Sequence, residues 1–172
     1  MEIRNTVFFM KTALEAAPLL VGKLLCRNLA NGEIIKLRIT ETECYMGEED
    51  EACHASKGRT PRTSVMYEAG GLYYVYLCYG MHWLLNIVCG EENKPQAVLI
   101  RCCEGYEGPA KLTKKLQIDK AFNRESAVLS DKLWLEDDGY KPEIITLPRV
   151  GVNYAGEYWR DIKWRFKDNG VN

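Results

Sequence analysis

The chain has 172 residues, of which 47% are hydrophobic and 27% charged, and its net charge is −1. This length and composition are typical of an ordered globular domain, while the near-neutral charge argues against a protein that coats nucleic acid by charge alone. No stretch approaches the roughly 20 apolar residues of a membrane span, and Met1–Met10 lacks the pattern of a secretory signal. We therefore expect one domain over residues 1–172 in a cytoplasmic protein.

The N-terminal part of the chain predicts a helix followed by a hairpin. Apolar residues at helical spacing predict a helix over Thr12–Leu25, which Pro18 interrupts. Asn31-Gly32 is a hairpin turn signal between two β-rich runs, Lys23–Leu29 and Glu33–Tyr45. These two runs are therefore expected to pair as neighbouring antiparallel strands.

The middle of the chain contains its longest aromatic and apolar run. Glu48–His54 is acidic and predicts a short helix or a loop. Leu72–Val88 follows, and Gly80 inside it indicates two strands joined by a tight turn. Gln96–Cys103 predicts a further strand.

The C-terminal part predicts one helix and several short strands. Proline is favoured at the first position of a helix, so Gly108-Pro109 predicts a basic helix over Ala110–Leu116. Lys132–Leu135 and Ile144–Val152 are typical of late strands, with a last one over Ile162–Phe166. The pattern indicates an α+β fold, a mostly antiparallel sheet flanked by a few helices.

The second β-rich run changes character along its length. Because side chains alternate between faces along a strand, one face of Ile35–Tyr45 begins with apolar residues and ends with Glu41 and Glu43. A carboxylate on an inward face is costly unless it is paired or functional. The alternative is that the strand leaves the core at Thr40, so that both acids meet solvent or an arginine.

The chain offers few residues that could bind a metal. Its only histidines are His54 and His82, and its seven cysteines include no Cys-x-x-Cys pair. This pattern argues against a zinc ribbon and against a disulfide framework. Cys44, Cys53 and His54 could together supply three ligands, but hydrogen bonding or stacking is favoured for His54. We expect neither a metal nor a cofactor.

Residues 73–83 are very rich in aromatic side chains. Core packing explains some of them, since aromatic residues favour strands, but tyrosines fall on both faces, so one face must leave its rings in a cleft or in water. Tyr79 and Met81 flank Gly80 at the predicted turn, where they suit a wedge pushed between base pairs. Aromatic walls suit a flipped base, because stacking contributes about 1–3 kcal/mol per base and flipping costs a few kcal/mol.

Several segments match one known family in the same order over nearly the whole chain. They are Glu41–Tyr45, Glu49–His54, Thr60–Arg62, Tyr74–Met81, Asn86–Ile87, Leu99–Arg101, Gly108–Leu112, Arg149–Val152 and Ala155–Glu157. On these segments the chain resembles the alkyladenine (3-methyladenine) DNA glycosylases of the mammalian type, which also occur in bacteria. The resemblance implies a curved sheet with a protruding hairpin, and a monomer that acts on double-stranded DNA in the bacterial nucleoid.

The resemblance also implies a role for individual residues. Glu43 would be the general base that activates water, and Arg101 and the carbonyl of Val150 would help to hold that water. Four residues would form the base pocket: Tyr45, His54, Tyr76 and Asn86, the last of which would disfavour the 2-amino group of guanine. The wedge would be Tyr79 with Met81. The basic residues that would contact the DNA backbone are Arg59, Arg62 and Lys111, although a solvated surface is the simpler interpretation of such clusters.

The implied reaction is base-excision repair of damaged purines, namely 3-methyladenine, 7-methylguanine, hypoxanthine and ethenoadenine. The matching motifs contain no lysine that would form a Schiff base, so we expect a monofunctional enzyme that leaves an abasic site. Three alternatives remain: a non-catalytic nucleic-acid binder, a nucleosidase for free nucleosides, and a metal-dependent enzyme. Glu43 with Arg101 argues against the first, the hairpin tip against the second, and the scarcity of histidine against the third.

Overall fold

A computed structural model describes residues 1–171 of the chain. The strands are β1 (Leu24–Asn28), β2 (Ile34–Met46), β3 (Tyr73–Cys78), β4 (His82–Val88), β5 (Gln96–Cys103), β6 (Leu133–Glu136), β7 (Ile144–Leu147) and β8 (Arg165–Asp168). The helices are α1 (Thr6–Phe9), α2 (Ala13–Leu20), α3 (Pro109–Lys115) and α4 (Glu157–Asp161), and 3₁₀ turns cover His54–Lys57, Ser64–Tyr67 and Lys120–Phe122. Within residues 1–171, no helix has both the length and the apolarity to cross a bilayer.

All eight strands belong to one curved antiparallel sheet. Six of them follow the order β3-β4-β5-β2-β1-β6, while β8 pairs with both β2 and β7. Helix α2 packs on the sheet through the Thr42 hydroxyl, which donates to the carbonyl of Ala17 at 2.9 Å. Helix α3 is attached through the Thr113 hydroxyl, which donates to the carbonyl of Trp83 at 2.7 Å. The prediction of a mixed α+β fold with a mostly antiparallel sheet is confirmed.

Strand β2 is the centre of the sheet. Its N-terminal half pairs with β1, and its C-terminal half lies between β5 and β8. Glu43 is therefore directly opposite Leu99 on one side and Arg165 on the other. A side chain at this position has neighbouring strands on both sides, which explains how the sheet can bury a carboxylate there.

The register between β2 and β5 is irregular beside this position. Ile39 pairs with Cys103 and Glu41 with Cys102, so Thr40 is an extra residue of β2. Thr42 then pairs with Ile100, so Arg101 is an extra residue of β5. The core face of β2 also changes there: Ile39 belongs to the hydrophobic core before the irregularity and Cys44 after it. The expectation that Glu43 shares the core face of Ile39 is wrong, because this irregularity places Glu43 on the opposite face of the sheet from the core.

Three predicted elements differ from the structure by more than one residue at an end. Helix α2 ends at Leu20 instead of Leu25, two residues after Pro18, which lies inside its last turn. Strand β7 ends at Leu147 instead of Val152, because Pro148 cannot donate a ladder hydrogen bond. The last strand is Arg165–Asp168 instead of Ile162–Phe166, since α4 and a short connection occupy the residues before it.

Candidate active site

Glu43 is the most completely enclosed acidic residue of the candidate site, with 0% of its surface exposed. One carboxylate oxygen accepts the backbone N–H of Val150 at 2.8 Å, and the other accepts the hydroxyl of Tyr45 at 2.9 Å. The Nε of Arg101 lies 3.5 Å from the first oxygen. Each oxygen thus accepts one hydrogen bond and Arg101 adds an ion pair, and these three contacts fix the orientation of the carboxylate.

Glu41, two residues earlier on the same face of β2, is also buried. Its Oε1 lies 2.9 Å from Nη1 of Arg165 and 3.4 Å from Nε of Arg101. The sequence left open whether Glu41 and Glu43 are buried or whether they meet solvent or an arginine. In the structure both acids are buried and both lie beside arginines. Arg165 was not expected from the sequence.

The surroundings of Glu43 shift its pKa in opposing directions. Burial raises the pKa of Glu43 above the ordinary carboxyl value, and it outweighs the charge of Arg101, the N–H of Val150 and the hydroxyl of Tyr45, all of which lower it. The charge of Arg101 therefore favours the ionised form of Glu43, but it is not the largest effect. A carboxylate with a raised pKa is a stronger proton acceptor, as a general base requires.

A cleft of about 1040 Å³ opens beside Glu43. The predicted site residues that line it are Glu43, Tyr45, His54, Arg62, Tyr76, Tyr79, Asn86, Arg101 and Val150. Three predicted residues do not line it: Arg59, Met81 and Lys111. Arg59 lies over the ring of Tyr67 at 5.4 Å, and Lys111 is an exposed residue of α3.

One row of side chains across four strands forms the floor of this cleft. Tyr74, Asn86, Leu99 and Glu43 are directly opposite one another on β3, β4, β5 and β2. Residues opposite one another share a face, and all four line the cleft. Neighbouring strands are about 4.8 Å apart, so Glu43 and Asn86 lie roughly 10 Å apart across the floor.

The aromatic wall of the cleft is formed by interlocking rings. The ring centroids of His54 and Tyr76 are 4.6 Å apart with the planes at 68°, and those of Tyr74 and Tyr76 are 5.2 Å apart. Nδ1 of His54 is 2.9 Å from the hydroxyl of Tyr74. Burial, followed by the charge of Arg62, lowers the pKa of His54 to about 4, so this histidine is neutral at pH 7. Tyr74 was not singled out from the sequence.

The carboxamide of Asn86 is fixed within the floor. Its Nδ2 donates to the backbone carbonyl of Tyr74 at 3.1 Å, and its side chain is buried.

The residues considered as possible metal ligands do not form a cluster. In the part of the chain that the structure describes, no group of three His, Cys, Asp or Glu side chains is placed to hold a metal ion. The seven cysteines in that part are free thiols.

The tip of the β3–β4 hairpin stands beside the cleft. Tyr79 and Gly80 have φ of 51° and 68°, the positive values that a type I′ turn requires. The N–H of Met81 closes the turn on the carbonyl of Cys78 at 3.1 Å. Tyr79 is 88% exposed and Met81 70%. This tight turn thus presents both side chains to solvent, and only Tyr79 also lines the cleft.

A buried ion pair supports the loop that carries Val150. Arg149 donates to both carboxylate oxygens of Asp50, at 2.6 and 2.8 Å, and both side chains are 0% exposed. The residue pattern does not predict this pair, although both residues lie in segments that match the family. The two positions are 99 residues apart, and no local spacing signals such a contact.

Two comparisons with known proteins give matches over most of the chain. The family profile described as methylpurine-DNA glycosylase matches residues 7–107 and 104–172. A protein of Borrelia garinii subsp. bavariensis is 44% identical over 177 residues, with 94% of this chain and 95% of the relative covered. Proteins of Psychrobacter cryohalolentis (42% over 184 residues, 90% and 86% covered) and Methanocella arvoryzae (41% over 181 residues, 94% and 90% covered) are also similar. Each of the three is provisionally named a 3-methyladenine DNA glycosylase.

These matches cover nearly the whole described chain and confirm the resemblance found in its motifs. The chain belongs to the methylpurine-DNA glycosylase family of DNA-repair enzymes.

Proposed function

We propose that this chain removes 3-methyladenine, 7-methylguanine, hypoxanthine and ethenoadenine from double-stranded DNA by hydrolysing their N-glycosidic bonds, with Glu43 activating the water. The observation that carries the proposal is the buried Glu43 carboxylate, held by donors on both oxygens at the floor of an aromatic cleft. We propose further that the enzyme acts as a monomer. Family membership supports the class of reaction, and the geometry supports the roles of the residues.

The chemistry of the bond suits a fixed carboxylate. Breaking an N-glycosidic bond builds positive charge on the sugar, which a nearby anion stabilises. The same carboxylate takes a proton from the water that attacks the sugar. Arg101 and the Val150 N–H keep Glu43 in one orientation, so little reorganisation accompanies the reaction.

Recognition follows from the walls and the rim of the cleft. A purine that has left the duplex would lie among the rings of Tyr45, His54 and Tyr76, where stacking offsets the cost of flipping. Tyr79 would fill the space that the purine leaves. Asn86 would exclude the 2-amino group of normal guanine at the far end of the floor.

An excision assay tests the proposed function. The purified protein is incubated with duplexes that carry one of the four lesions, with an undamaged duplex as control, and the released base and the abasic sites are measured. We expect base release from the damaged duplexes only. Lys57 is the lysine that lines the cleft, so borohydride is added in a parallel reaction; a trapped protein–DNA adduct, or no base release, would contradict hydrolysis by water.

The raised pKa of Glu43 predicts the pH dependence of excision. A protonated Glu43 accepts no proton from water, so the rate falls as the pH drops through a pKa that lies above the ordinary carboxyl value. 7-Methylguanine is already cationic and should show this acidic limb alone. Hypoxanthine must be protonated as it leaves, so its rate should also fall at high pH. The single-turnover excision rate of each lesion is measured as a function of pH. Hypoxanthine excision whose rate does not fall at high pH would be inconsistent with this scheme.

Removing the ring of Tyr79 should weaken excision from duplex DNA. The substitution Tyr79→Asn keeps a residue that tolerates positive φ, and it creates the Asn-Gly pair favoured in such turns. The loss of about 1–3 kcal/mol of stacking corresponds to a roughly 5- to 150-fold lower rate. Tyr158→Asn is the matched control, because Tyr158 is exposed but lies outside the cleft. Equal rates for the two variants would exclude a wedge at the hairpin tip.

A further inference from the structure

Arg149 joins three parts of the site through its guanidinium group. Nη1 donates to the carbonyl of Cys44 at 3.0 Å and to Asp50 at 2.6 Å. Nη2 donates to the other oxygen of Asp50 at 2.8 Å and to the carbonyl of Trp159 at 3.1 Å. Arg149 is therefore attached to β2 directly after Glu43, to the loop before His54, and to α4.

The same guanidinium also lies over two aromatic rings. Its central carbon lies 4.8 Å from the ring centroid of Tyr45 and 5.2 Å from that of Trp164. Tyr45 is one of the side chains that donate to Glu43, and the next residue after Arg149, Val150, gives the backbone donor. Two of the groups that orient Glu43 are thus held in place by Arg149.

The energetics of Arg149 suggest more than packing. A buried ion pair is weak evidence of stabilisation, because replacing such a pair with well-packed apolar residues often leaves the stability of the fold unchanged or increases it. In addition, Nε of Arg149 is the one buried side-chain nitrogen or oxygen within residues 1–171 that has no hydrogen-bond partner. Leaving such a donor unsatisfied costs about 1–3 kcal/mol. A cost of this kind next to a catalytic carboxylate calls for a functional explanation.

We infer that Arg149 is a positioning residue for the proposed reaction, which holds the N–H of Val150 and the ring of Tyr45 where they fix the carboxylate of Glu43. In the described part of the chain no hydrogen bond or ion pair links Arg149 directly to Glu43, so its effect passes through these two neighbours. The inference rests on the proposed function, because it assumes that Glu43 is the general base.

This role has a consequence for the ionisation of Glu43. The charged and titratable groups that face Glu43 are Arg101 from β5, Arg165 from β8, Glu41 and Tyr45 from β2, with the N–H of Val150 from the loop after β7. The N–H of Val150 lowers the pKa of Glu43. If the loop moves and this hydrogen bond lengthens, the pKa of Glu43 rises, and the acidic limb of excision moves to higher pH.

The substitution Arg149→Lys tests the inference. Lysine keeps the charge opposite Asp50 but lacks the planar fork that binds a carboxylate at two points and stacks on rings. The matched control is Arg38→Lys. Arg38 also donates to both oxygens of an aspartate, Asp138, and lies over the ring of Tyr140 at 4.4 Å, but it is absent from the lining of the cleft.

We expect Arg149→Lys to lower single-turnover excision of 7-methylguanine at least tenfold (about 1.4 kcal/mol) and to move the acidic limb to higher pH. Arg38→Lys should change neither of these. Excision that falls while the acidic limb stays in place would show a merely structural role and overturn the inference, as would a wild-type profile. If Arg149→Lys does not fold, Asp50→Glu, which keeps both charges and displaces the guanidinium, is held to the same two criteria.

A direct check on the route is Val150→Pro, which removes the backbone donor to Glu43. Because proline also fixes φ and restricts the residue before it, only the position of the acidic limb is compared in this variant. It should reproduce the shift of the acidic limb seen with Arg149→Lys; a shift in one variant without the other would contradict a path through Val150. The outcomes separate this inference from the proposed function. A wild-type protein without excision activity would refute the function, whereas normal pH profiles in active variants would refute the positioning role alone.

Discussion

Glu43→Gln is expected to abolish excision of 7-methylguanine and hypoxanthine from duplex DNA while binding to the same duplexes persists. Glutamine occupies the same volume and can still accept a hydrogen bond, but it takes no proton from water and carries no charge to stabilise the sugar. General-base catalysis alone contributes about 10²–10⁴-fold, so the loss should be at least of this size. Single-turnover excision and a binding titration on the same duplexes measure the two quantities separately.

The matched control is Glu41→Gln, on the same strand. Glu41 is also buried and also contacts Arg101, but it does not line the cleft. We expect Glu41→Gln to keep most of the excision activity. Similar losses in both variants, or substantial excision by Glu43→Gln, would remove Glu43 from its role as the base.

The loss in Glu43→Gln should not come from unfolding. The folded state raises the pKa of Glu43 above its unfolded value. The fold therefore favours the protonated form, and the contribution of Glu43 to stability is lost as the pH rises through the folded pKa. A neutral side chain avoids that loss, so Glu43→Gln should be at least as stable as the wild type at neutral pH in urea unfolding.

Asp50→Ala is expected to lower the free energy of unfolding by about 3–5 kcal/mol, the usual result of removing one partner of a buried ion pair. Arg149 would stay buried with its charge uncompensated, because its remaining acceptors are the carbonyls of Cys44 and Trp159. Urea unfolding at neutral pH gives the difference from the midpoint and the slope.

Two comparisons make the test of Asp50 specific. Glu91→Ala breaks the exposed pair with Lys94 and should cost only about 0–1 kcal/mol. The double variant of Asp50→Ala with Arg149→Met should be less destabilised than Asp50→Ala alone, because no buried charge remains. An Asp50→Ala variant that unfolds like the exposed control would show that the substitution does not leave Arg149 as an uncompensated buried charge.

Local chemistry was sufficient to predict several features of the fold. The turn at Gly80 was predicted correctly because positive φ is a property of a few neighbouring residues. The alternation of tyrosines was also informative: Tyr73 lies in the core, whereas Tyr74 and Tyr76 line the cleft. Tyrosines on both faces of one strand did indicate that one face borders a cleft.

The face that carries Glu43 could not be predicted in the same way. A shift of one residue in register moves every following side chain to the other face, and the irregularity between Ile39 and Thr42 involves the partner strand β5. The residue types of β2 alone do not indicate this irregularity. The alternation along Ile35–Tyr45 therefore suggested one continuous face where the structure has two.

The supporting contacts of the site were missed for a related reason. Arg165 contacts Glu41, 124 residues away in sequence, because β8 pairs with β2. Arg149 contacts Asp50, 99 residues away in sequence, from the loop that follows β7. Such pairs depend on topology, which spacing in the sequence does not reveal. The motifs identified the residues that form the cleft more readily than the residues that hold them.

The most direct test of the account is a crystal structure of the Glu43→Gln variant bound to a duplex that contains a damaged purine. The account predicts that the purine lies outside the helix among Tyr45, His54 and Tyr76, with the side chain at position 43 facing C1′ of the same nucleotide and Tyr79 in the vacated space. A purine that remains stacked in the duplex, or a side chain at position 43 turned away from the sugar, would contradict it.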